Sequence, residues 1–291
     1  MKLKGILKNS GLASKLMILV GMSLVFGTVA SLIFVSITPS DSQSIDALKL
    51  LQLAESAGIF ILPAILSIFL FNQDPYAVIG RNKKTTIVDY ILVGLLMLTL
   101  IPFINYVSEW NQQLRLPAAF ANIEAWMKTS EATATSITER FLNVHNLGAL
   151  AFNLLLVAAM PALGEELYFR AVIQRSIIER TNIIQGVLIT AFVFSAIHIQ
   201  FYGLVPRFLL GALLGFLYVW SSNLWLPIFA HFVNNSTAVI FYYLKFNHYQ
   251  TIDVDTIGTN ATTWMVLPSI GLSALGIILI HKRLKQSNSI C

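Results

Sequence analysis

Charged residues divide the chain into long apolar runs. Roughly 20 consecutive apolar residues cross the hydrocarbon core of a bilayer as an α-helix, so each run predicts at least one transmembrane helix. The longest run has 37 residues, 208–244, and a single helix of that length would measure about 55 Å. Residues 221–223 and Pro227 favour a break there, giving eight predicted transmembrane helices. The seven uncharged runs are 16–40, 56–73, 90–108, 141–164, 181–206, 208–244 and 256–281.

The composition agrees with a membrane protein. Hydrophobic residues make up 56% of the 291 residues and charged residues only 11%, whereas soluble domains contain about 25% charged residues. This excludes a soluble multidomain enzyme and a disordered chain. The net charge of +5 would otherwise suggest a nucleic-acid partner, but the basic residues follow the membrane topology. The predicted fold class is an all-α, polytopic membrane protein, a bundle of about eight transmembrane helices.

The basic residues predict an orientation. If the helices cross alternately, 13 of the 19 Lys and Arg residues lie on the side of the N-terminus. The positive-inside rule then predicts an integral, multi-pass protein of a bacterial inner (plasma) membrane with both termini cytoplasmic. The first apolar run is too long for a signal peptide and no clear cleavage site follows it, which predicts an uncleaved first helix.

The chain is predicted to have three parts. Residues 1–144 supply transmembrane helices 1–3 and an outer polar segment, 108–145, in which Trp110 and Trp126 indicate amphipathic helices at the membrane interface. Residues 145–245 form the helix bundle that carries the candidate chemistry. Residues 246–291 form an outer loop, the last transmembrane helix and a basic cytoplasmic tail.

Adjacent carboxylates, Glu165 and Glu166, follow a long uncharged run. On a helix, Glu166 and Arg170 are i,i+4 neighbours and can form an ion pair. Glu165 has Phe169 at its own i+4 position and therefore no local counter-charge, which suits a general base. The alternative interpretation is a cytoplasmic helix end with solvated charges.

Two further polar clusters lie in apolar helices. His198 is deep in the run 181–206, and His231 and Asn235 share one helix face at i,i+4 spacing. The alternatives are a packing histidine and interhelical hydrogen bonds, which are common in membranes. Asn234, at i+3, competes with Asn235 for the same role.

Together these residues provide a base, two imidazoles and an amide donor, the groups needed to hydrolyse an amide bond. Glu165, His198 and His231 also form a ligand set for a catalytic zinc, with one position open for water. Both interpretations remain open at this stage, although Asn235 is a poor zinc ligand.

The pattern Glu165-Glu166-x-x-x-Arg170, Phe194-x-x-x-His198, His231-x-x-x-Asn235 resembles the three motifs of the CPBP family, the CAAX-protease and bacteriocin-processing (ABI) family of intramembrane proteases. The family spacing favours Asn235 over Asn234. The resemblance covers roughly 145–245 and says little about residues 1–140. It implies an eight-helix bundle with a conical cavity that opens toward the cytoplasmic side.

The resemblance predicts an intramembrane endopeptidase of the CAAX type that hydrolyses a membrane-associated, hydrophobic or lipidated peptide through activated water. Membrane lipid is the other expected partner, and the oligomeric state is not predicted. The expected roles are proton abstraction from water by Glu165, orientation of the water by His198, stabilisation of the oxyanion by His231 and Asn235, and retention of Glu166 by Arg170.

Three alternatives accompany this prediction. The first is a metalloprotease that uses Zn²⁺, because family descriptions often name a metal. The second is a non-proteolytic membrane scaffold or bacteriocin-immunity protein of the same family. The third is a transporter, which is disfavoured because the predicted helices 1–3 carry almost no polar residues that could line a path.

Overall fold

A computed structural model describes residues 3–37, 44–80, 85–250 and 253–289, and these residues form helices and connecting turns with no strand. Nine helices in this part of the chain are longer than two turns. They are α1 (Leu12–Ile37), α2 (Ile45–Phe71), α3 (Ile87–Gln112), α4 (Ala121–Leu142), α5 (Leu147–Ile178), α6 (Ile183–Ala196), α7 (Leu204–Ser221), α8 (Trp225–Phe246) and α9 (Val266–Ser289).

Six of the described helical segments are long and apolar enough to cross a membrane: α1, α2, α3, α5, α7 with the turn before it, and α9 with the turn before it. The other two predicted spans are also helical. Helix α6 is apolar but has 14 residues, and α8 has 22 residues and carries the polar His231 and Asn235. The all-α polytopic class is therefore confirmed, with six clear spans and two further bundle helices in place of eight equal spans.

The predicted break in the longest apolar run is confirmed. Helix α7 ends at Ser221, and Ser222 has a left-handed backbone with φ +50°. Helix α8 begins at Trp225. Four of the basic residues that predict the orientation lie outside the described residues: Lys2, Arg81, Lys83 and Lys84. The orientation and the three-part division stay predictions.

Two apolar runs fold differently from the prediction. Helix α5 continues past Gly164 to Ile178, because Glu166 and Arg170 neutralise each other inside the bundle. A solvated helix end at 164 is therefore wrong. The run 181–206 is not one helix either, since α6 ends at Ala196 and a short turn with Ile199 at φ +54° precedes α7. His198 lies in that turn, not in the middle of a helix.

Helices α2 and α5 contain π-helical turns. In α2 the turn Ala57–Ile61 precedes Pro63, and in α5 the turn Leu154–Ala159 precedes Pro161. Proline has no N–H and its ring clashes with the carbonyl of the preceding turn, so a locally wider helix accommodates it. A third π-helical segment, Glu166–Gln174, contains part of the first motif. Such segments often occur at functional sites.

Two apolar clusters hold the bundle together. One surrounds α1, α2 and the C-terminal half of α5, with Leu19, Ile68 and Phe169 buried. The other joins α3, α7, α8 and α9. Burial of apolar side chains is the main stabilising term in each. The motif residues lie where the two clusters meet, because α5 belongs to the first cluster and α8 to the second.

The predicted polar segment 108–145 contains helix α4. Trp126 of this helix packs on Phe201, with 5.5 Å between ring centroids, and Glu124 bonds Lys128 at 2.7 Å. The hydrogen bond from Lys128 lowers the pKa of Glu124, so the polar face of α4 carries a stable charge pair. Helix α4 thus packs beside the turn that carries His198.

Candidate active site

Three elements bring the motif residues together. Helix α5 carries Glu165, Glu166 and Arg170, the turn after α6 carries His198, and α8 carries His231 and Asn235. A cavity of about 170 Å³ lies among them. Its lining includes four of the six predicted site residues, whereas Glu166 and Arg170 lie behind it. The cavity is lined by Met97, Glu165, Phe194, His198, Arg207, Leu210, Leu214, His231, Asn234 and Asn235.

Glu166, Arg170 and His231 form what is here called the ion network. Arg170 Nε donates to Glu166 Oε2 at 2.9 Å, and both side chains are 0% exposed. The other carboxylate oxygen, Oε1, lies 3.0 Å from His231 Nδ1. The Arg170 guanidinium lies over the Phe194 ring at 5.2 Å. The predicted Glu166–Arg170 ion pair is thus present and is completely buried.

Glu165 occupies the opposite side of His231. Its Oε2 lies 3.8 Å from His231 Nε2, and its side chain is 13% exposed. Within the described residues this oxygen has no hydrogen-bond partner. One imidazole therefore stands between two carboxylates: Nδ1 is hydrogen-bonded to Glu166, and Nε2 faces Glu165 across the cavity wall. The sequence alone indicated no counter-charge for Glu165, because His231 is 66 positions away in the chain.

His198 has a defined hydrogen-bonding state when it is neutral. Its Nδ1 lies 2.7 Å from the Phe194 carbonyl oxygen. A carbonyl only accepts, so Nδ1 carries the proton and Nε2 is left as an acceptor. The Phe194 ring contacts the rings of both His198 and His231, at 5.1 Å and 6.1 Å between centroids. Phe194, the first residue of the second motif, thus contacts both imidazoles with one aromatic ring.

Asn235 and Asn234 both line the cavity and are bonded to each other. Asn234 Nδ2 donates to Asn235 Oδ1 at 3.1 Å, and Asn235 Nδ2 donates to the Val157 carbonyl at 3.2 Å. The Val157 carbonyl belongs to the π-helical turn before Pro161. Each amide nitrogen has two N–H groups, so one donor of Asn235 remains available to the cavity.

Helix α5 approaches α2 closely beside the first motif. A Cβ placed on Gly164 would lie 3.1 Å from Ile61 Cγ1 and 3.1 Å from Phe60 Cβ. Only a residue without a side chain fits this contact without displacement of its neighbours. Gly164 therefore lets the two helices pack at the position immediately before Glu165.

Arg207 is a cavity residue that lies outside the three motifs. It lines the site cavity together with Glu165 and His198. It is the single charged residue between Arg180 and Lys245, and that isolation is the signal by which it could have been found. Arg207 also lines a second, polar cavity of about 620 Å³, here called the vestibule.

The vestibule lies at one end of the bundle. Its walls include Glu109 of α3, Glu131 and Thr135 of α4, and Gln200 of the turn. A smaller cavity of about 160 Å³ shares Asn105 and Asp255 with the vestibule and Asn234 with the site cavity. The charge distribution predicts that 108–145 lies outside the cell, whereas the family resemblance implies a cytoplasmic opening. These two expectations disagree about the side of the membrane on which the vestibule opens.

The predicted metal ligands do not converge. A catalytic zinc needs three protein ligands at about 2.0–2.3 Å with an open fourth position. Among the described residues, no group of three His, Cys, Asp or Glu side chains is arranged to hold a metal ion. His231 uses Nδ1 for Glu166, which leaves only Nε2 for a ligand. Glu165, His198 and His231 therefore do not fit zinc in this geometry.

Two comparisons with known proteins each match part of the chain. Residues 147–237 match the family model "Type II CAAX prenyl endopeptidase Rce1-like". The "Putative membrane peptidase YdiL" of Bacillus subtilis (strain 168) is 34% identical over 76 residues, which is 26% of this chain and 31% of the relative. The aligned part thus spans about a third of the relative's length. No solved structure matches the chain.

The fold and the site define a multi-pass, α-helical membrane protein whose carboxylates and imidazoles surround a cavity inside the helix bundle. In residues 147–237, the chain is thus similar to the Rce1-like CAAX prenyl endopeptidases, in agreement with the resemblance of its three motifs. Residues 147–237, which the family model matches, include all six predicted site residues.

Proposed function

We propose that this protein is an intramembrane endopeptidase that hydrolyses a membrane-associated, hydrophobic or lipidated peptide. One observation supports this most directly. Glu165 lines the site cavity together with two imidazoles, and its buried Oε2 has no hydrogen-bond partner among the described residues. A carboxylate in this position can accept a proton from a water molecule.

The proposed reaction begins with that water. Glu165 removes one proton, and the acceptor Nε2 of His198 holds the other by a hydrogen bond. The oxygen then attacks the carbonyl carbon of the peptide bond. Glu165 afterwards returns its proton to the leaving amine, so the carboxylate acts first as a base and then as an acid.

The developing oxyanion needs hydrogen-bond donors in the cavity. The free N–H of Asn235 is one. When His231 is protonated, both of its ring nitrogens donate, and Nε2–H is the second. Preorganised donors of this kind are worth about 3–4 kcal/mol each in comparable sites. The ion network keeps His231 in place, since Glu166 accepts from Nδ1.

The vestibule is the proposed route by which the peptide reaches the site. It is large enough for several side chains, it is polar, and it adjoins the site cavity at Arg207. We propose that it opens on the extracytoplasmic side, because α4 belongs to the segment that the positive-inside rule places outside.

Cysteine labelling tests the side of access. In a Cys291→Ser background, Thr135→Cys places a thiol in the vestibule, and Asn9→Cys places an exposed thiol near the N-terminus. A membrane-impermeant maleimide applied to intact cells should label Thr135→Cys and should reach Asn9→Cys only after permeabilisation. The reverse pattern would show that the vestibule opens toward the cytoplasm.

Proteomics of peptide termini tests the activity. Cells that express the wild type should contain new termini of membrane-associated peptides that are missing with Glu165→Gln. The matched control is Glu55→Gln, in which the new amide oxygen can still accept from Ser31. If cells with and without the wild-type protein give the same termini, the peptidase proposal is wrong and a scaffold role is favoured.

Elemental analysis tests the proposed metal-free mechanism. Purified wild-type protein should cleave a substrate found by the terminus analysis after treatment with a chelator, and it should contain less than one zinc per chain. Stoichiometric zinc that is lost together with activity would replace the water mechanism with a metal-dependent one, while leaving the peptidase proposal in place.

A further inference from the structure

The turn that carries His198 has a strained backbone. Ile199, which follows His198 directly, has φ +54°. This left-handed region is unfavourable for a β-branched residue. Residues in such conformations persist only when their surroundings hold them there, and they cluster at functional sites. The structure must therefore contain contacts that fix the turn.

Arg207 supplies the strongest of these contacts. Its Nη1 donates to the Gln200 carbonyl oxygen at 3.0 Å, and its Nη2 donates to the Gln200 side-chain oxygen. The backbone N–H of Gly203 donates to the same carbonyl at 3.2 Å. The planar guanidinium thus binds both oxygens of one turn residue, a two-point contact that fixes orientation as well as position.

Gly203 shows how closely the guanidinium covers the turn. A Cβ on Gly203 would lie 2.8 Å from both Nη1 and Nη2 of Arg207. Such a distance would displace the guanidinium. Glycine at position 203 therefore allows the Arg207 guanidinium to approach the turn this closely.

The bonds of Arg207 are directed at the turn. In the described part of the chain, its hydrogen bonds go to Gln200 and it makes no ion pair with a carboxylate. It nevertheless lines the same cavity as Glu165 and His198. Three other side chains also bond the turn and the residues after it. Ser130 Oγ donates to the Ile199 carbonyl at 3.5 Å, and Ser195 Oγ donates to the Leu204 carbonyl at 2.6 Å. Asn111 donates to the Phe201 carbonyl and accepts from the Val205 N–H.

We propose that Arg207 is a positioning residue for His198. It holds the strained turn at Gln200, and the turn holds the His198 imidazole at the cavity wall where it orients the attacking water. This inference rests on the proposed peptidase function. It adds a residue outside the three motifs whose effect on the reaction passes through His198.

A double-mutant comparison tests the proposal. In the wild-type background, Arg207→Gln should lower kcat by about 100-fold and leave KM nearly unchanged, because a displacement of about 1 Å at a catalytic group has an effect of this size. In a His198→Ala background, measured in single turnover with excess protein, Arg207→Gln should cause no further loss. Arg207→Lys should recover part of kcat, since lysine can donate to only part of the two-point contact.

Arg115→Gln is the matched control, because Arg115 is exposed and bonds carbonyl oxygens near its own position in the chain. It should leave kcat unchanged. Equal losses from Arg207→Gln in both backgrounds would overturn the proposal, since a merely structural role would act independently of His198. A raised KM with unchanged kcat would instead show that Arg207 binds substrate.

Hydrogen–deuterium exchange gives a readout without activity. Arg207→Gln should increase exchange over 197–203 and leave the rest of α6 and α7 protected. Unchanged exchange in the turn would overturn the positioning role even if the peptidase function is correct. If cells with and without the wild-type protein give the same peptide termini while Arg207→Gln loosens the turn, the peptidase proposal fails and the structural part of this inference stands.

Discussion

Glu165 and Glu166 are neighbours in the chain but occupy two different regions of the molecule. Glu166 belongs to the ion network, where Arg170 and His231 occupy both of its oxygens and its side chain is 0% exposed. Glu165 faces the cavity, is 13% exposed, and has an oxygen without a hydrogen-bond partner among the described residues. Of the two carboxylates, only that of Glu165 therefore lines the cavity.

The difference separates two tasks that a pair of carboxylates can perform. A buried charge must be paired, because desolvation is costly, and Glu166 and Arg170 pair within one helix through Arg170 Nε. The carboxylate that faces the cavity remains available for proton transfer. His231 links the two regions, since its two nitrogens face the two glutamates. Replacing each glutamate by glutamine should thus have different effects: Glu165→Gln should lower activity, and Glu166→Gln should lower stability.

The largest expected effect is the loss of catalytic activity caused by Glu165→Gln. The amide has the same shape but accepts a proton poorly, so kcat should fall by about 10²–10⁴-fold, the range for loss of a general base. The thermal melting temperature in detergent should stay close to that of the wild type. Full activity in Glu165→Gln would show that the cavity-facing carboxylate is not the base.

The second largest expected effect is the loss of stability caused by Glu166→Gln. This change leaves the Arg170 guanidinium buried without its counter-charge, which costs about 3–5 kcal/mol. Equilibrium unfolding in mixed detergent should show this loss of unfolding free energy for Glu166→Gln and a much smaller one for Glu165→Gln. Equal losses in the two variants would contradict the division between the ion network and the cavity.

Much of this division could be predicted from the sequence. The i,i+4 spacing of Glu166 and Arg170 on a helix predicts their ion pair, and the three motifs predict that α5, α6 and α8 meet. The apolar runs predict helices at the right places. These features depend on local spacing or on recurring motif patterns, and both can be read without knowledge of the packing.

Other features depend on contacts between distant positions. His231 approaches both glutamates because α8 packs against α5, and no local rule gives that distance. The end of α6 before His198 depends on bonds to Asn111 and Arg207 from other helices. The continuation of α5 past Gly164 depends on burial of the ion pair. For both α5 and α6, therefore, the end of the uncharged run in the sequence does not coincide with the end of the helix.

The third prediction removes the ion pair as a unit. In Glu166→Met with Arg170→Met, no uncompensated charge remains in the core, so stability should return to within about 1–2 kcal/mol of the wild type, as in other buried pairs replaced by apolar residues. Activity should stay low, because His231 Nδ1 loses the acceptor that orients the ring. Recovery of both properties would show that the ion network serves stability alone.

The smallest expected effect concerns Asn234 and Asn235, which extend the comparison to α8. Both line the cavity, but the motif spacing favours Asn235 as the donor to the oxyanion, whereas Asn234 donates to Asn235 Oδ1. Asn235→Ala should lower kcat by about 10²-fold, as for removal of an oxyanion donor. Asn234→Ala should cost about tenfold or less, since it removes one net hydrogen bond of about 1 kcal/mol. Steady-state kinetics on the same substrate measures both. A larger loss for Asn234→Ala would make Asn234 the direct donor and Asn235 its support, reversing the assignment that the motif spacing favours.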